Sequence, residues 1–329
     1  MRQHAPGKAF RAGISLLELM DVFPTEEAAQ AWFEAIYWPD GERRCGHCDG
    51  VHTRPVPSGK PMPYWCSGCR SYFSVKTGTA MADSKIPLRK WALGIYLCLT
   101  SLKSVSSMKL HRDLKLTQKS AWFMLHRLRE AWEEQHGGPF DGPVEVDETY
   151  MGGKRKNKPK AKRAEATGRG PVDMTAVVGV KDRSSNQVNA RVMIATDAET
   201  LVPYVEDRAA HGATVYTDDS PSYSALPNML NGIQHRTVNH SAGEYVRDQA
   251  HTNGIESFWS MLKRAYKGTF HKMSPKHLQR YVSEFAGKHN IRDEDTLTQM
   301  AGMAIGLAGK RLKYRHLIAD NGLPSGARS

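Results

Sequence analysis

Four cysteines come as two close pairs, Cys45/Cys48 in "CGHC" and Cys66/Cys69 in "CSGC", with 17 residues between the pairs. Each C-x-x-C turn points two thiolates at one place, and two such turns close a tetrahedron around a zinc ion. Four thiolates leave no open position, so one Zn2+ held this way is structural and not catalytic. Two disulfides are the competing use of these residues, and a reducing cytoplasm disfavours them. Gly46 and Gly68 ease the turns, and "YWCSGCRSYFSVKTGT" has β character, which predicts a zinc ribbon over a helical finger. Arg43, Arg44, Arg54, Lys60 and Arg70 lie beside the pairs and suit contact with DNA or, equally, with a protein. The fifth cysteine, Cys98, sits in the apolar "WALGIYLCLT" and reads as a small buried hydrophobe.

The acids form a second constellation. In "VEVDETYMGG", Val144 and Val146 alternate with Glu145 and Asp147, which puts Asp147 at the end of an otherwise apolar strand. "ATVYTDDSPSY" repeats the arrangement with Asp218 and Asp219. One such acid is an ordinary turn residue; two strands that each deliver one suit a shared site. A third segment, "HTNGIESFWSMLKRAYKG" at 251–268, has Ile255, Phe258, Trp259, Leu262 and Tyr266 on one helical stripe. Asn253, Glu256 and Lys263 run beside that stripe. Asn253 as N-cap with Glu256 folding back as the third helical residue accounts for two of them, but not for Lys263. If Asp147 and Asp218 lie opposite, three oxygen ligands meet on a hard divalent ion, Mg2+ or Mn2+. Two such ions about 4 Å apart activate an attacking oxygen and stabilise a leaving one, and Lys263 is then free to hold a phosphate.

These groups need elements to carry them. Thr25 is the expected cap of a helix in "FPTEEAAQAWFEAIYW", with Glu26 and Glu27 in its first turn. Residues 87–136 are helical, with breaks near Ser104–Ser107 and Leu116–Thr117. Within them "SVSSMKLHRDLKLTQKSAWFMLHRLREAW" has the rhythm of a helix-turn-helix, capped by Ser106 or Ser107 and by Thr117. Arg112, Lys115, Lys119, Arg127 and Arg129 supply its charge; an ordinary helical hairpin is the plainer reading. From about 143 short β-rich runs follow one another, with a helix from about Glu199 to Ala210 before the fourth, and after 250 the texture is helical again. "KRKNKPKAKRAEATGRG" at 154–170 reads as a basic loop between the first two strands, with Lys154, Arg155, Lys156 and Lys158 at its start.

The 329 residues suffice for two or three domains, and 46 Lys and Arg against 34 Asp and Glu leave a charge of +12, which favours a polyanionic partner, most simply nucleic acid. No apolar run reaches the length of a membrane span, and "MRQHAPGKAF" lacks a signal-peptide core, so a soluble cytoplasmic protein working at the nucleoid is expected.

"EVDETYMGGKRKNK", "VYTDDSPSYSAL" and "HTNGIESFWSMLKRAYKGTFHKMSPKHLQRYVSEFAGKHNIR" resemble the catalytic motifs of insertion-sequence transposases of the DDE class, above all insertion-sequence family fifteen-ninety-five, over residues 15–318. The resemblance implies an α/β fold: an RNase H-like mixed five-stranded sheet with flanking helices, preceded by a zinc ribbon and a helix-turn-helix-like segment. It implies segments at 1–40 (helical), 41–80 (ribbon), 85–137 (DNA-binding helices), 140–295 (catalytic) and 296–329 (last helix and tail). Asp147 matches the first catalytic position. Asp218 matches the second better than Asp219 does, because the acid directly follows the Thr that ends the strand. Family members carry either Asn or Glu at the third position, and both Asn253 and Glu256 stand here, with Lys263 following. The implied activity is metal-dependent hydrolysis and strand transfer at terminal inverted repeats, on double-stranded DNA, by a homo-oligomer with two Mg2+ per site. Lys119, Arg127 and the basic loop make the phosphate contacts. A stand-alone RNase H-like nuclease and a non-catalytic zinc-ribbon regulator are the rival functions.

Overall fold

Side-chain caps set where the N-terminal helices begin. Following the antiparallel pair β1 (Arg2–His4) and β2 (Phe10–Ala12), Ser15 and Glu18 form a reciprocal capping box at the start of α1 (Leu16–Val22). Thr25 accepts from the amide of Ala28 at 3.2 Å to start α2 (Glu26–Tyr37). The computed structural model describes residues 2–4, 10–132, 139–153, 160, 174–223, 226, 232–238 and 252–323. The chain divides into two units, one of residues 1–134 with 291–320, the other of residues 135–290 with 321–329.

In the first unit the strands β3 (Thr53–Pro55), β4 (Tyr64–Cys66) and β5 (Ser71–Phe73) make a three-stranded antiparallel sheet. Helices α3 (Leu88–Thr100), α4 (Ser107–Leu114) and α5 (Gln118–Arg129) follow. The breaks between them fall where Ser106 accepts from Lys109 and Thr117 from Ser120, with Lys115 in the left-handed region at φ 47° closing α4. Helix α3 is the apolar centre, with Trp91, Ile95 and Cys98 buried among Phe33, Leu110, Met124 and Met300.

The second unit is built on five strands: β6 (Val144–Met151), β7 (Thr175–Asp182), β8 (Val188–Met193), β9 (Thr214–Asp218) and β10 (Gln234–Val238). They lie in the order β10-β9-β6-β7-β8. The first three in sequence form an antiparallel meander, β9 joins β6 in parallel, and β10 joins β9 in parallel. This is the expected RNase H-like mixed sheet. Period-two alternation sorts its residues. Val144, Val146, Val178 and Val180 pack with α6 (Ala198–Arg208). Val177 and Ala190 pack on the other face with α7 (Asn253–Ala265) and α8 (Leu278–Asn290). The chain then re-enters the first unit as α9 (Thr296–Gly306), which packs on α3, and α10 (Tyr314–Ile318). Among the described residues no helix is long and apolar enough to cross a membrane.

One local expectation differs from the structure, and one strand left no signal in the sequence. Strand β6 does not end at Asp147: β7 pairs with it along all eight residues, so Asp147 lies in mid-strand. Strand β10, "QHRTV", carries no apolar alternation. Gln234, Arg236 and Thr237 are exposed on the sheet edge, and half-burial never imprinted a pattern on the sequence.

Candidate active site

In the ribbon, Cys45 and Cys48 sit in the turn before β3, Cys66 ends β4, and Cys69 lies in the turn to β5. One sulfur from each lies within 4.8 Å of every other. The pairs Cys45–Cys69 and Cys48–Cys66 stand 3.7 Å apart. That is too long for a disulfide, and all five cysteines are free. A zinc tetrahedron with Zn–S bonds of about 2.3 Å has edges of roughly 3.8 Å, so these four cysteines can hold such an ion. Gly46 is required here: a Cβ would lie 2.2 Å from the carbonyl oxygen of Thr77. Gly68 is under no such pressure, its added Cβ meeting only Cys66 Sγ at 3.7 Å. Arg43, one of the expected basic contacts, lays its guanidinium 3.8 Å over the Tyr64 ring.

The acids converge in the second unit. Strands β6 and β9 run in parallel with Val144 beside Val215 and Glu145 beside Tyr216; the ladder ends there, and Asp147 and Asp218 each follow two residues on. Glu145 and Asp147 face α7, opposite Val144 and Val146, as the alternation predicts. The cross-strand neighbour of Asp147 is Gly179, whose missing side chain makes room for α7: an added Cβ would lie 2.7 Å from the Trp259 ring and 2.9 Å from Ile255 Cδ1. Ile255, Phe258, Trp259, Leu262 and Ala265 are buried, so the apolar stripe of the helix is spent on the sheet.

Electrostatics report how near the acids are. The carboxyl of Asp147 is pushed up to about 7, first by burial, then by the charges of Glu148, Asp218 and Glu256. Glu148 is raised as well, burial leading and Asp218 adding to it. Asp147, Asp218 and Glu256 are thus brought together, though more loosely than the sulfurs: among the described residues only the cysteine set closes to a mutual 4.8 Å. Asn253 is exposed as the first residue of α7, and Lys263 is exposed in its last turn. Asn253 is not the cap. Thr252 holds that position, and its hydroxyl donates to Glu256 Oε1 at 3.0 Å, so Glu256 is oriented without a capping box.

Two side-chain contacts near the strand ends escaped the sequence. Tyr223 donates to Glu148 Oε2 at 2.6 Å, and burial followed by the Glu148 charge drives its phenol well above the ordinary range. Thr217 Oγ1 lies 2.9 Å from His235 Nε2, and burial pulls that imidazole down. The Glu next to Asp147 in "DET" was the one visible signal; Tyr223 reaches Glu148 through tertiary folding alone.

Of the expected DNA contacts, Lys119 is exposed in the first turn of α5, its ammonium 4.4 Å over the Tyr314 ring. Arg127 is a correction. It is 7% exposed, on the inward face with Met124 and Leu128, its guanidinium 4.2 Å from the Phe123 ring centre, and so it is not presented to a phosphate. Lys154, Arg155, Lys156 and Lys158 lie outside the described residues.

The stretch that builds this sheet and its acids, residues 139–290, matches the model of the ISXO2-like transposase domain. Over residues 139–290 the chain is similar to that transposase family. The family expected from the motifs is the one whose model matches, and the matched stretch contains Asp147, Asp218, Asn253, Glu256 and Lys263. The chain is also 28% identical over 250 residues to an uncharacterized protein in transposable element ISH50 of Halobacterium salinarum, covering 74% of this chain and 83% of that protein. Among solved structures, a chain of the simian T-cell lymphotropic virus intasome in complex with PP2A regulatory subunit B56 gamma is similar at 16% identity and a TM-score of 0.28. That likeness covers 60% of this chain and 65% of the other.

Proposed function

We propose that the chain is the transposase of an insertion sequence, binding terminal inverted repeats and catalysing phosphodiester hydrolysis followed by strand transfer. The observation that carries the reading is the parallel pair β6 and β9, in register at Val144–Val215 and Glu145–Tyr216, which delivers Asp147 and Asp218 two residues further on, with Asp218 and Glu256 acting to raise the Asp147 carboxyl. Carboxylates that hinder each other's ionisation are relieved by a divalent cation. Asp147, Asp218 and Glu256 would hold Mg2+ or Mn2+, and Asn253 would offer its amide oxygen. When bound, two such ions activate the attacking oxygen and stabilise the leaving one. Thr252 orients Glu256, Tyr223 restrains Glu148 beside the pair, and Lys263 is available to a DNA phosphate. The four cysteines would hold one structural Zn2+. Lys119 and the basic residues Lys154, Arg155, Lys156 and Lys158 would neutralise phosphates, and two element ends call for at least a dimer on DNA. Such a protein works in the cytoplasm, at the nucleoid.

The test uses the duplex ends of the element that carries this gene. The Asp147→Ala protein should bind them as the parent does and fail to cut in Mg2+; normal cutting by that variant refutes the site. A pre-cut end separates the rivals, since joined products identify a transposase, and cutting without joining in Mg2+ or Mn2+ identifies a nuclease.

A further inference from the structure

Glu145 lies two residues before Asp147 on the same strand and the same face. It is 1% exposed, and both of its oxygens are engaged. Oε1 accepts from Arg183 Nε at 2.8 Å, and Oε2 accepts from the backbone amide of Ile255 at 2.9 Å. Ile255 is the third residue of α7, so its N–H is one of the amides that a helix cannot satisfy by itself. The carboxylate also faces the positive end of the helix dipole. The N-terminus of α7 is therefore already satisfied by a side chain of the sheet and is not a vacant anion site.

Arg183 extends the link. Its guanidinium lies 4.1 Å over the Tyr216 ring, and Tyr216 is the neighbour of Glu145 on β9, two residues before Asp218. One ion pair thus touches the strand of Asp147, the strand of Asp218 and the first turn of the helix with Asn253 and Glu256. Between them sits Gly254, where a Cβ would come within 2.7 Å of Glu145 Oε2 and 2.9 Å of Lys181 Nζ. A buried ion pair adds little net stability, because desolvation offsets much of the Coulomb gain. Orientation is what this pair supplies.

We propose that Glu145, held by Arg183, is a positioning residue that docks the first turn of α7 onto β6 and so sets where Asn253 and Glu256 stand relative to Asp147 and Asp218. The inference rests on the transposase reading for its effect on activity, and on the hydrogen bonds alone for its effect on the helix.

The experiment compares full-length wild type, Glu145→Ala, Glu145→Gln and Gly254→Ala, with Asp147→Ala as the control for the transposase reading. Amide exchange over 252–262 is followed without DNA, and single-turnover cutting of the element-end duplex is followed at saturating protein in Mn2+. In Glu145→Ala, exchange over 253–259 should rise about tenfold. Its cutting rate should fall about a hundredfold, as for a ligand misplaced by an ångström, with binding of the duplex unchanged. Gln still accepts from Ile255 but cannot pair with Arg183, so Glu145→Gln should recover about half of the loss on a logarithmic scale. Unchanged exchange overturns the proposal, even if cutting slows, because Glu145 would then act on the chemistry directly. Faster exchange with undiminished cutting overturns it too. If Glu145→Ala does not fold, Gly254→Ala decides by the same two outcomes. If the wild type does not cut, or Asp147→Ala cuts as well as it does, the transposase reading has failed, and the exchange data alone judge the docking role.

Discussion

In the ribbon, four ligands come from one stretch, Cys45 to Cys69, and two short turns bring their sulfurs to edge distances of 3.7 Å. At the sheet, Asp147, Asp218 and Glu256 come from two strands and a helix, and folding the whole unit brings them near one another. The first site is assembled by local geometry and has almost no core of its own, only Tyr64, Phe73 and two of the cysteines being buried there. The second is surrounded by a large core that holds like charges together against their repulsion. On the proposed reading a metal would therefore have different work in the two places: in the ribbon it would replace a missing core, and at the sheet it would relieve a stress that the core already withstands.

The contrast is broken most directly by removing metal from the ribbon. Structural zinc contributes on the order of 10 kcal/mol to a domain this small. Cys66→Ser should therefore drop the zinc content from one per chain to near zero and expose residues 45–73 to proteolysis, with the five-stranded sheet intact. Elemental analysis with limited proteolysis checks this, and a ribbon that resists the protease without zinc would make it a conventional small fold. Next in size is Asp147→Asn, which should slow cutting on the order of a thousandfold, since on the proposed reading it removes a shared metal ligand while leaving the fold in place; single-turnover rates measure it.

Gly179→Ala tests the core side of the comparison. The new methyl group meets the Trp259 ring and Ile255, and overpacking of this kind costs about 1–3 kcal/mol, read as a lower denaturation midpoint.

The pH response sharpens the comparison further. The folded value of about 7 for Asp147 lies above the unfolded value, near 3.9, so the native state binds this proton more tightly. Its contribution is present at low pH and is lost as pH rises from about 4 through about 7. Without divalent metal, the wild-type Tm should decline over that range more than the Tm of Asp147→Asn, making the variant the more stable protein at about pH 8. Parallel Tm curves would show that Asp147 is not under stress. The smallest effect is that of Lys119→Ala, which should weaken DNA binding evenly across sequences and reduce the salt slope by about one, measured by titration at several salt concentrations.

What could be read from residues alone follows the same division. The cysteine spacing was legible because the geometry it encodes spans a few residues. Thr25, Ser106 and Thr117 were legible as caps because a cap is decided by its own turn. Asp147 and Asp218 stood out because polar residues break apolar alternation. Thr252 displaced Asn253 as the cap because burial at that junction is tertiary. Arg127 turned inward because the basic residues of α5 are not all on one face, and charge does not say which face is covered. Glu145 could be placed on the right face by alternation, but its partners, Arg183 and the amide of Ile255, are 38 and 110 residues away. His235 lies on an edge strand that no pattern announced.

The mid-strand position of Asp147 sets the two aspartates in different surroundings. Asp147 has four more residues of its strand beyond it, all laddered to β7, whereas Asp218 is the last residue of its strand, tied there to Val238 of the edge strand β10. One carboxylate hangs inside the sheet and the other at its rim, so a change in the segment after Asp218 would be felt by that acid before it reached Asp147.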